Sequence, residues 1–214
     1  MSTDLPGASY AAAGVDIEAG ERAVDALRPY AEKAGRPEVI GGIGGFAGLF
    51  ALKIGKYTDP VLAASTDGVG TKVAIAQAMD KHDTIGLDLV AMIVDDLVVC
   101  GAEPLFLQDY IAVGKLVPEM VASVVKGIAE GCRQAGCALL GGETAEHPGL
   151  MEVGGYDISG TGVGIVEADA MLRPDRVRIV VGDGARSEAL VAAHRESVES
   201  LGLVEFVARR AWRA

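Results

Sequence analysis

Ser65-Thr66-Asp67-Gly68-Val69-Gly70-Thr71-Lys72 lies between two apolar runs, Pro60 to Ala64 and Val73 to Ala78. That arrangement reads as a turn closing a buried strand, with a helix opening behind it. Asp67 is suited to hold a cation, Gly68 and Gly70 let backbone N–H groups approach an anion, and Lys72 adds a point charge for phosphate. Taken alone, the stretch is explained equally well by a solvated glycine turn. The remainder of the chain has to separate the two.

Half of the 214 residues are hydrophobic, ample for a packed core in one domain or in one domain with an appendage. A formal charge of −11 argues against a nucleic-acid or anionic-membrane surface, because such surfaces are met by an excess of Lys and Arg. A phosphorylated small molecule stays compatible, since a metal, a few placed lysines and backbone N–H groups neutralise it locally. Cys100, Cys132 and Cys137 are too few and too uneven for a disulfide scaffold, and Cys-x4-Cys has no second pair for zinc. They read as core thiols. No basic segment followed by an apolar one opens the chain, and Asp interrupts the apolar runs before membrane-spanning length. The expectation is a cytoplasmic protein with no membrane and no nucleic-acid partner.

In chain order, residues 1–15 read as a mobile terminus. Asp16 to Lys33 carries Ile17, Val24, Leu27 and Tyr30 at helical spacing with Glu18 and Glu21 early, and Gly35-Arg36-Pro37 stops it. Val39 to Leu52 is glycine-rich and strand-like; a dinucleotide fingerprint over Gly42, Gly44 and Ala47 fails for want of a following helix. A flap over a ligand and a bulged hairpin both remain, and spacing favours the hairpin. His82 to Gly101 reads as a buried helix, capped by Asp83 or Thr84 and ended before Gly101. Asp88 and Asp95 share a face there and Asp96 lies about 100° further round. Carboxylates in so apolar a helix call for a cation or a set of hydrogen bonds, and for Asp95-Asp96 a metal is the better account.

Leu105 to Val113 reads as a strand with Asp109 inside it. Pro118 opens a scaffold helix whose apolar face is Val121, Val124, Val125, Ile128 and Cys132, ended by Gly136. Cys137 to Leu140 is a short strand, Gly141 to Gly149 a second carboxylate-bearing loop in which Glu146 and His147 read as surface turn, and Tyr156 to Val166 a long strand with small residues on one face. The alternation indicates an α/β or α+β layered fold with two crossover helices. Asp67, Asp95-Asp96 and Glu143 recur at strand or helix ends, which favours a phosphate and divalent-metal site over a solvated turn.

Gly41-Gly42-Ile43-Gly44-Gly45-Phe46, Thr66 to Lys72, His82 to Met92, Gly101 to Phe106 and Gly141 to Glu146 together closely resemble the phosphoribosylformylglycinamidine cyclo-ligase (aminoimidazole ribonucleotide synthetase) family over roughly Tyr10 to Arg178. The resemblance implies ATP-dependent closure of formylglycinamidine ribonucleotide to aminoimidazole ribonucleotide in purine biosynthesis, with ADP and phosphate released. A formyl oxygen leaves poorly; phosphorylated by ATP, it becomes a group that an intramolecular nitrogen can displace. By motif, Asp67 and Asp96 resemble Mg2+ ligands, Asp83 with its neighbour Thr84 a nucleotide contact, and Lys72 a phosphate contact. Gly141, Gly142 and Glu143 resemble an ATP-proximal loop, and the loop holding Gly44 and Gly45 a mobile cover. The implied architecture is the mixed-sheet N-terminal domain of that synthetase, here residues 16–178, pairing with its twin through sheet strands as a homodimer.

Ala47, His147 and Asp95 stand where Gly, Met and Asn are usual, and Asp95 adds a negative charge beside a metal candidate. The family continues into a second domain after the segment resembling Arg178. Residues 179–214 do not follow its motif and are expected to form an atypical tail in that domain's place.

Overall fold

The computed structural model describes residues 9–43 and 47–173. The expectations for Gly44 and Gly45, and for the tail of residues 179–214, lie outside the described residues. The first helix, α1 (Ile17–Lys33), starts where the Asp16 carboxylate accepts the Ala19 N–H at 2.9 Å. This is an N-cap, and it sets the helix start where the sequence placed it. The glycine-rich stretch is a hairpin at its base: β1 (Val39–Ile40) pairs antiparallel with β2 (Leu49–Phe50). A short 3-10 turn, Ile54–Lys56, leads into β3 (Pro60–Gly68).

The main sheet has four strands in the order β3, β6 (Tyr156–Glu167), β4 (Glu103–Val113), β5 (Ala138–Glu146). Parallel β4 and β5 are joined by α4 (Pro118–Ala135), and β6 runs antiparallel between β3 and β4. The short α2 (Lys72–Ala78) and the long α3 (Ile85–Val99) carry the chain from β3 to β4. The sheet is therefore mixed, as the family resemblance implied, with the crossover helices that the alternation of elements indicated.

Leu89, Ile93 and Leu97 form one buried stripe of α3, and Val121, Val124, Val125 and Ile128 one of α4. Each fully buried Leu or Ile contributes about 2 kcal/mol. The α3 stripe sits directly on β6, where Cβ atoms at Gly160 and Gly162 would fall 2.8 and 2.4 Å from the Ile93 side chain. This explains the small residues on one face of that strand. α3 and α4 each end on a left-handed glycine, Gly101 at φ 80° and Gly136 at φ 70°. Beyond Gly101, the Ala102 N–H returns to the Leu97 carbonyl at 3.0 Å, and beyond Gly136 the Cys137 N–H returns to Cys132 at 3.0 Å. Cys132 and Cys137 are core thiols, whereas Cys100 is exposed.

Three sequence expectations need correction. The strand ending in Ser65–Gly68 is not buried: it is the sheet's edge, and its outward residues, including Leu62 at 57 % exposure, leave one face open. The Gly141 to Glu146 stretch is no loop, because β4 offers it a ladder from Gln108↔Gly141 to Val113↔Glu146 and extends β5 past the weak strand formers. At the start of α3, Thr84 occupies the cap position but makes no side-chain cap bond.

Candidate functional site

The candidate residues separate into two groups at opposite edges of the sheet. At the β3 edge, Ser65 and Asp67 are two apart on one strand and point to the same side, towards α3. The Ser65 hydroxyl donates to Asp96 Oδ2 at 2.5 Å, which draws the α3 carboxylate to that surface. Asp67 Oδ1 accepts the Gly68 N–H at 2.7 Å. Asp67 and Asp96 are thus on one surface, with Lys72 opening α2 just beyond Gly70. Asp95 is exposed on α3 and Asp88 is partly buried. At the head of α3, the Asp83 carboxylate lies 3.2 Å from Lys81 Nζ and 3.8 Å from Lys126 Nζ. The Lys81 contact holds its carboxyl below the ordinary carboxylate value.

Among the described residues no group of three or more His, Cys, Asp or Glu side chains converges as a metal cage. Two hard carboxylates on one surface nonetheless fit the chemistry of magnesium, which keeps several waters and takes one or two carboxylates together with substrate phosphates. Asp67 and Asp96 are the residues that would hold it.

At the far edge, β5 carries Gly141, Gly142 and Glu143, three strand positions away from β3 in the sheet. At about 4.8 Å per strand that is roughly 14 Å, so within one copy Glu143 is not the opposite wall to Asp67 and Asp96. It borders instead a cavity of about 270 Å³ between α1 and β5, lined by Ala23, Leu27, Val125 and Leu139 and reached by Ile43 of the glycine loop. Asp109 lies in its wall, in register with Gly142. Burial pushes the Asp109 carboxyl up to about 7.

Asp109 had no role in the sequence reading. Its signal was there, a carboxylate in the apolar run Leu105 to Val113, of the kind that counted for Asp95-Asp96. Glu146 was likewise misread as surface turn. Its carboxylate accepts the Asp16 N–H at 2.8 Å and the Leu116 N–H at 2.7 Å, tying the start of α1 to the β4–α4 connection. His147 is held too, by Tyr110 Oη at 3.0 Å and by its own N–H to the Val113 carbonyl at 2.7 Å.

The family described as AIR synthase related protein, N-terminal domain, matches residues 47–166, from just before β2 into the end of β6. The chain belongs to this AIR synthase-related family. Phosphoribosylformylglycinamidine cyclo-ligase of Anaeromyxobacter sp. (strain K) is 56% identical over 195 residues, 91% of this chain and 54% of the relative. The enzyme of that name from Desulfitobacterium hafniense is 57% identical over 183 residues, 86% of this chain and 51% of the relative. That of Geobacter sulfurreducens is 51% identical over 203 residues, covering 92% and 58%. The chain spans about half the length of these curated relatives. Among solved structures, hydrogenase maturation protein HypE in complex with ATP superposes with a TM-score of 0.52 at 22% identity, over 74% of this chain and 43% of that one. Thiamine-monophosphate kinase from Stenotrophomonas maltophilia gives 0.53 at 22% identity, over 74% and 46%. At that identity they establish the AIR synthase-type fold alone.

Proposed function

We propose that this polypeptide serves the ATP-dependent cyclisation of formylglycinamidine ribonucleotide to aminoimidazole ribonucleotide in purine biosynthesis, releasing ADP and phosphate. The observation that carries the reading is the identity of 51 to 57% to proteins named for this cyclo-ligase, over about nine-tenths of the chain. In the reaction the γ-phosphoryl group passes to the formyl oxygen, an intramolecular nitrogen forms the new C–N bond, and the C–O bond breaks to release phosphate. In this reading Asp67 and Asp96 hold Mg2+, which neutralises phosphate charge when bound. Lys72 supplies a positive charge to the phosphates. Asp83, Thr84, Gly141, Gly142 and Glu143 contact the nucleotide, and the loop holding Gly44 and Gly45 covers it.

The unit spanning 16–178 pairs as a homodimer through the sheet face on which Leu62 and Tyr110 are exposed and Thr66 contacts Thr161 at 2.7 Å. No described helix is long and apolar enough to cross a membrane. A cytoplasmic location goes with the pathway. The test compares ADP and aminoimidazole ribonucleotide formation by this chain and by a full-length relative. Product from both supports the reading, and no product above background from this chain overturns it for this polypeptide.

The separation of Asp67 and Asp96 from Glu143 favours a second reading, a dimerising nucleotide-binding unit without turnover of its own. It predicts a dimer with magnesium-dependent ATP affinity and no product. A monomer without ATP affinity at any magnesium concentration counts against both.

A further inference from the structure

The connection between α2 and α3 is tied to β6 on one side and to α4 on the other. Asp80 is the one non-glycine at positive φ among the described residues, at 47°. It ends α2 as a left-handed cap: its own N–H returns to the Gln77 carbonyl at 3.2 Å and the Lys81 N–H to the Ala76 carbonyl at 3.0 Å. That backbone is uncommon for a residue with a Cβ. Here the Asp80 carboxylate meets His82 Nε2 at 3.1 Å. The other ring nitrogen, Nδ1, lies 3.0 Å from the Tyr156 hydroxyl, and the two rings meet edge to face with centroids 5.4 Å apart. Tyr156, at the start of β6, is 2 % exposed, and burial pushes its hydroxyl up to about 12, so the phenol keeps its proton. An ionised carboxylate only accepts. The neutral imidazole with its proton on Nε2 therefore satisfies both neighbours: Tyr156 donates to Nδ1, and Nε2–H donates to Asp80.

Asp83 engages the other side. Its carboxylate meets Lys81 Nζ and Lys126 Nζ of α4, and its carbonyl lies so close to α4 that a Cβ at Gly127 would fall 2.5 Å from it. Tyr156 also anchors α2 directly, since its carbonyl accepts the Gln77 side-chain amide at 3.2 Å. One residue of β6 thus holds both α2, which Lys72 opens, and the turn that delivers Asp83 to the head of α3. The exposed charges of the connection give little rigidity by themselves. The buried Tyr156 hydroxyl gives more, because stranding it without an acceptor costs more than an exposed bond gains. We propose that His82 is a positioning residue for nucleotide binding: bonded to Tyr156, its imidazole holds the α2–α3 connection so that Asp83 meets the nucleotide. The inference rests on the reading given above, in which Asp83 and Lys72 contact ATP. His82 acts through Asp83 and does not itself touch the nucleotide.

The experiment is calorimetric titration of magnesium-ATP into the full chain and into His82→Ala, His82→Asn and Tyr156→Phe. In parallel, amide hydrogen exchange is followed over residues 80–86 of the ligand-free proteins. Asn places an acceptor where Nδ1 stood and so keeps the Tyr156 bond. H82A and Y156F are each expected to weaken ATP binding by the folded protein roughly three- to tenfold, the contribution of one hydrogen bond, and to speed exchange in the connection. The double variant H82A/Y156F loses no more than either alone, and H82N stays within about twofold of the parent. A merely structural role would lower the melting temperature and leave the affinity of folded molecules unmoved. Equal affinity in parent, H82A and Y156F therefore overturns the proposal and leaves the cyclo-ligase reading standing. Additive losses overturn it too, since His82 and Tyr156 would then act apart. Should H82A fail to fold, Y156F, which removes only a hydroxyl, must show the loss. A parent that binds no ATP strikes at the cyclo-ligase reading instead, and exchange then decides: faster exchange in Y156F with the parent rate kept in H82N supports the clamp, and equal rates overturn it.

Discussion

The two edges of the sheet are built on opposite terms. At the β5 edge, α1 closes over the strand, Glu146 ties two segments together, and Asp109 lies half-buried in the wall of the cavity between α1 and β5. At the β3 edge the strand alternates between half-buried and exposed residues, and its polar groups meet one another near solvent. Carboxylates at the first edge are therefore tied to stability. Those at the second are available to a ligand at little structural cost.

The largest stability effect belongs to Glu146. Glu146→Ala leaves two backbone N–H groups, of Asp16 and Leu116, without their acceptor. With bonds to charged groups contributing about 1.5–3 kcal/mol each and water replacing part of them, the expected loss is about 3 kcal/mol by denaturant titration. A loss under 1 kcal/mol would mean that α1 is not stapled and the cavity wall is loose.

Asp109 gives the next effect, with the opposite sign. Unfolded, its carboxyl titrates near the ordinary 3.8; folded, it is pushed up to about 7. Between these values the native state holds a proton that the unfolded state has released, so stability falls as pH rises from about 4 to about 7. Asp109→Asn removes that slope and is expected to stabilise the free protein near pH 7.5 by a few kcal/mol at most. Thermal melts at pH 5 and pH 7.5 check it. A parent and variant with the same pH dependence would show that water reaches this carboxylate.

Much of the fold was legible because helices and their ends are written locally. The helical run of Asp16 to Lys33, the Val121 to Cys132 stripe, and Gly101 and Gly136 at helix ends all depend on residues within a few positions. The length of β5 was not legible. Gly141 and Gly142 are poor strand formers, and only the ladder to β4, set by a crossover, makes them strand. The same holds for the site. Sequence order could bring Asp67 and Asp96 into one motif list with Glu143, but sheet order, which inserts β6 and β4 between them, is a long-range property. Asp109 was readable as an anomaly; its cavity was not, since α1 supplies the other wall from far along the chain.

A third contrast concerns the β3 edge. Asp67→Asn and Asp96→Asn each remove a charge near solvent and are expected to change stability by less than 1 kcal/mol. Each is expected to weaken magnesium-dependent ATP binding at least tenfold, about 1.4 kcal/mol, because a hard dication loses an anionic ligand. Calorimetry with and without magnesium separates the two quantities. Equal affinity in parent and variants would remove these residues from the proposed metal site.

The smallest effect is the most specific. Ser65→Ala takes one hydroxyl from Asp96 Oδ2 and leaves the charge in place. Near solvent such a bond contributes about 0.5–1 kcal/mol to stability, and water can replace the hydroxyl. If Asp96 is only solvated, magnesium-dependent affinity stays unchanged. If the Ser65 bond holds Asp96 beside Asp67 for a shared cation, affinity falls severalfold while Asp67→Asn still abolishes what remains. A double-mutant cycle between positions 65 and 96 reads the difference directly: non-additivity in the magnesium-bound state, absent in magnesium-free stability, assigns the serine to positioning. Additivity in both states returns Ser65 to the role of an ordinary edge-strand hydroxyl.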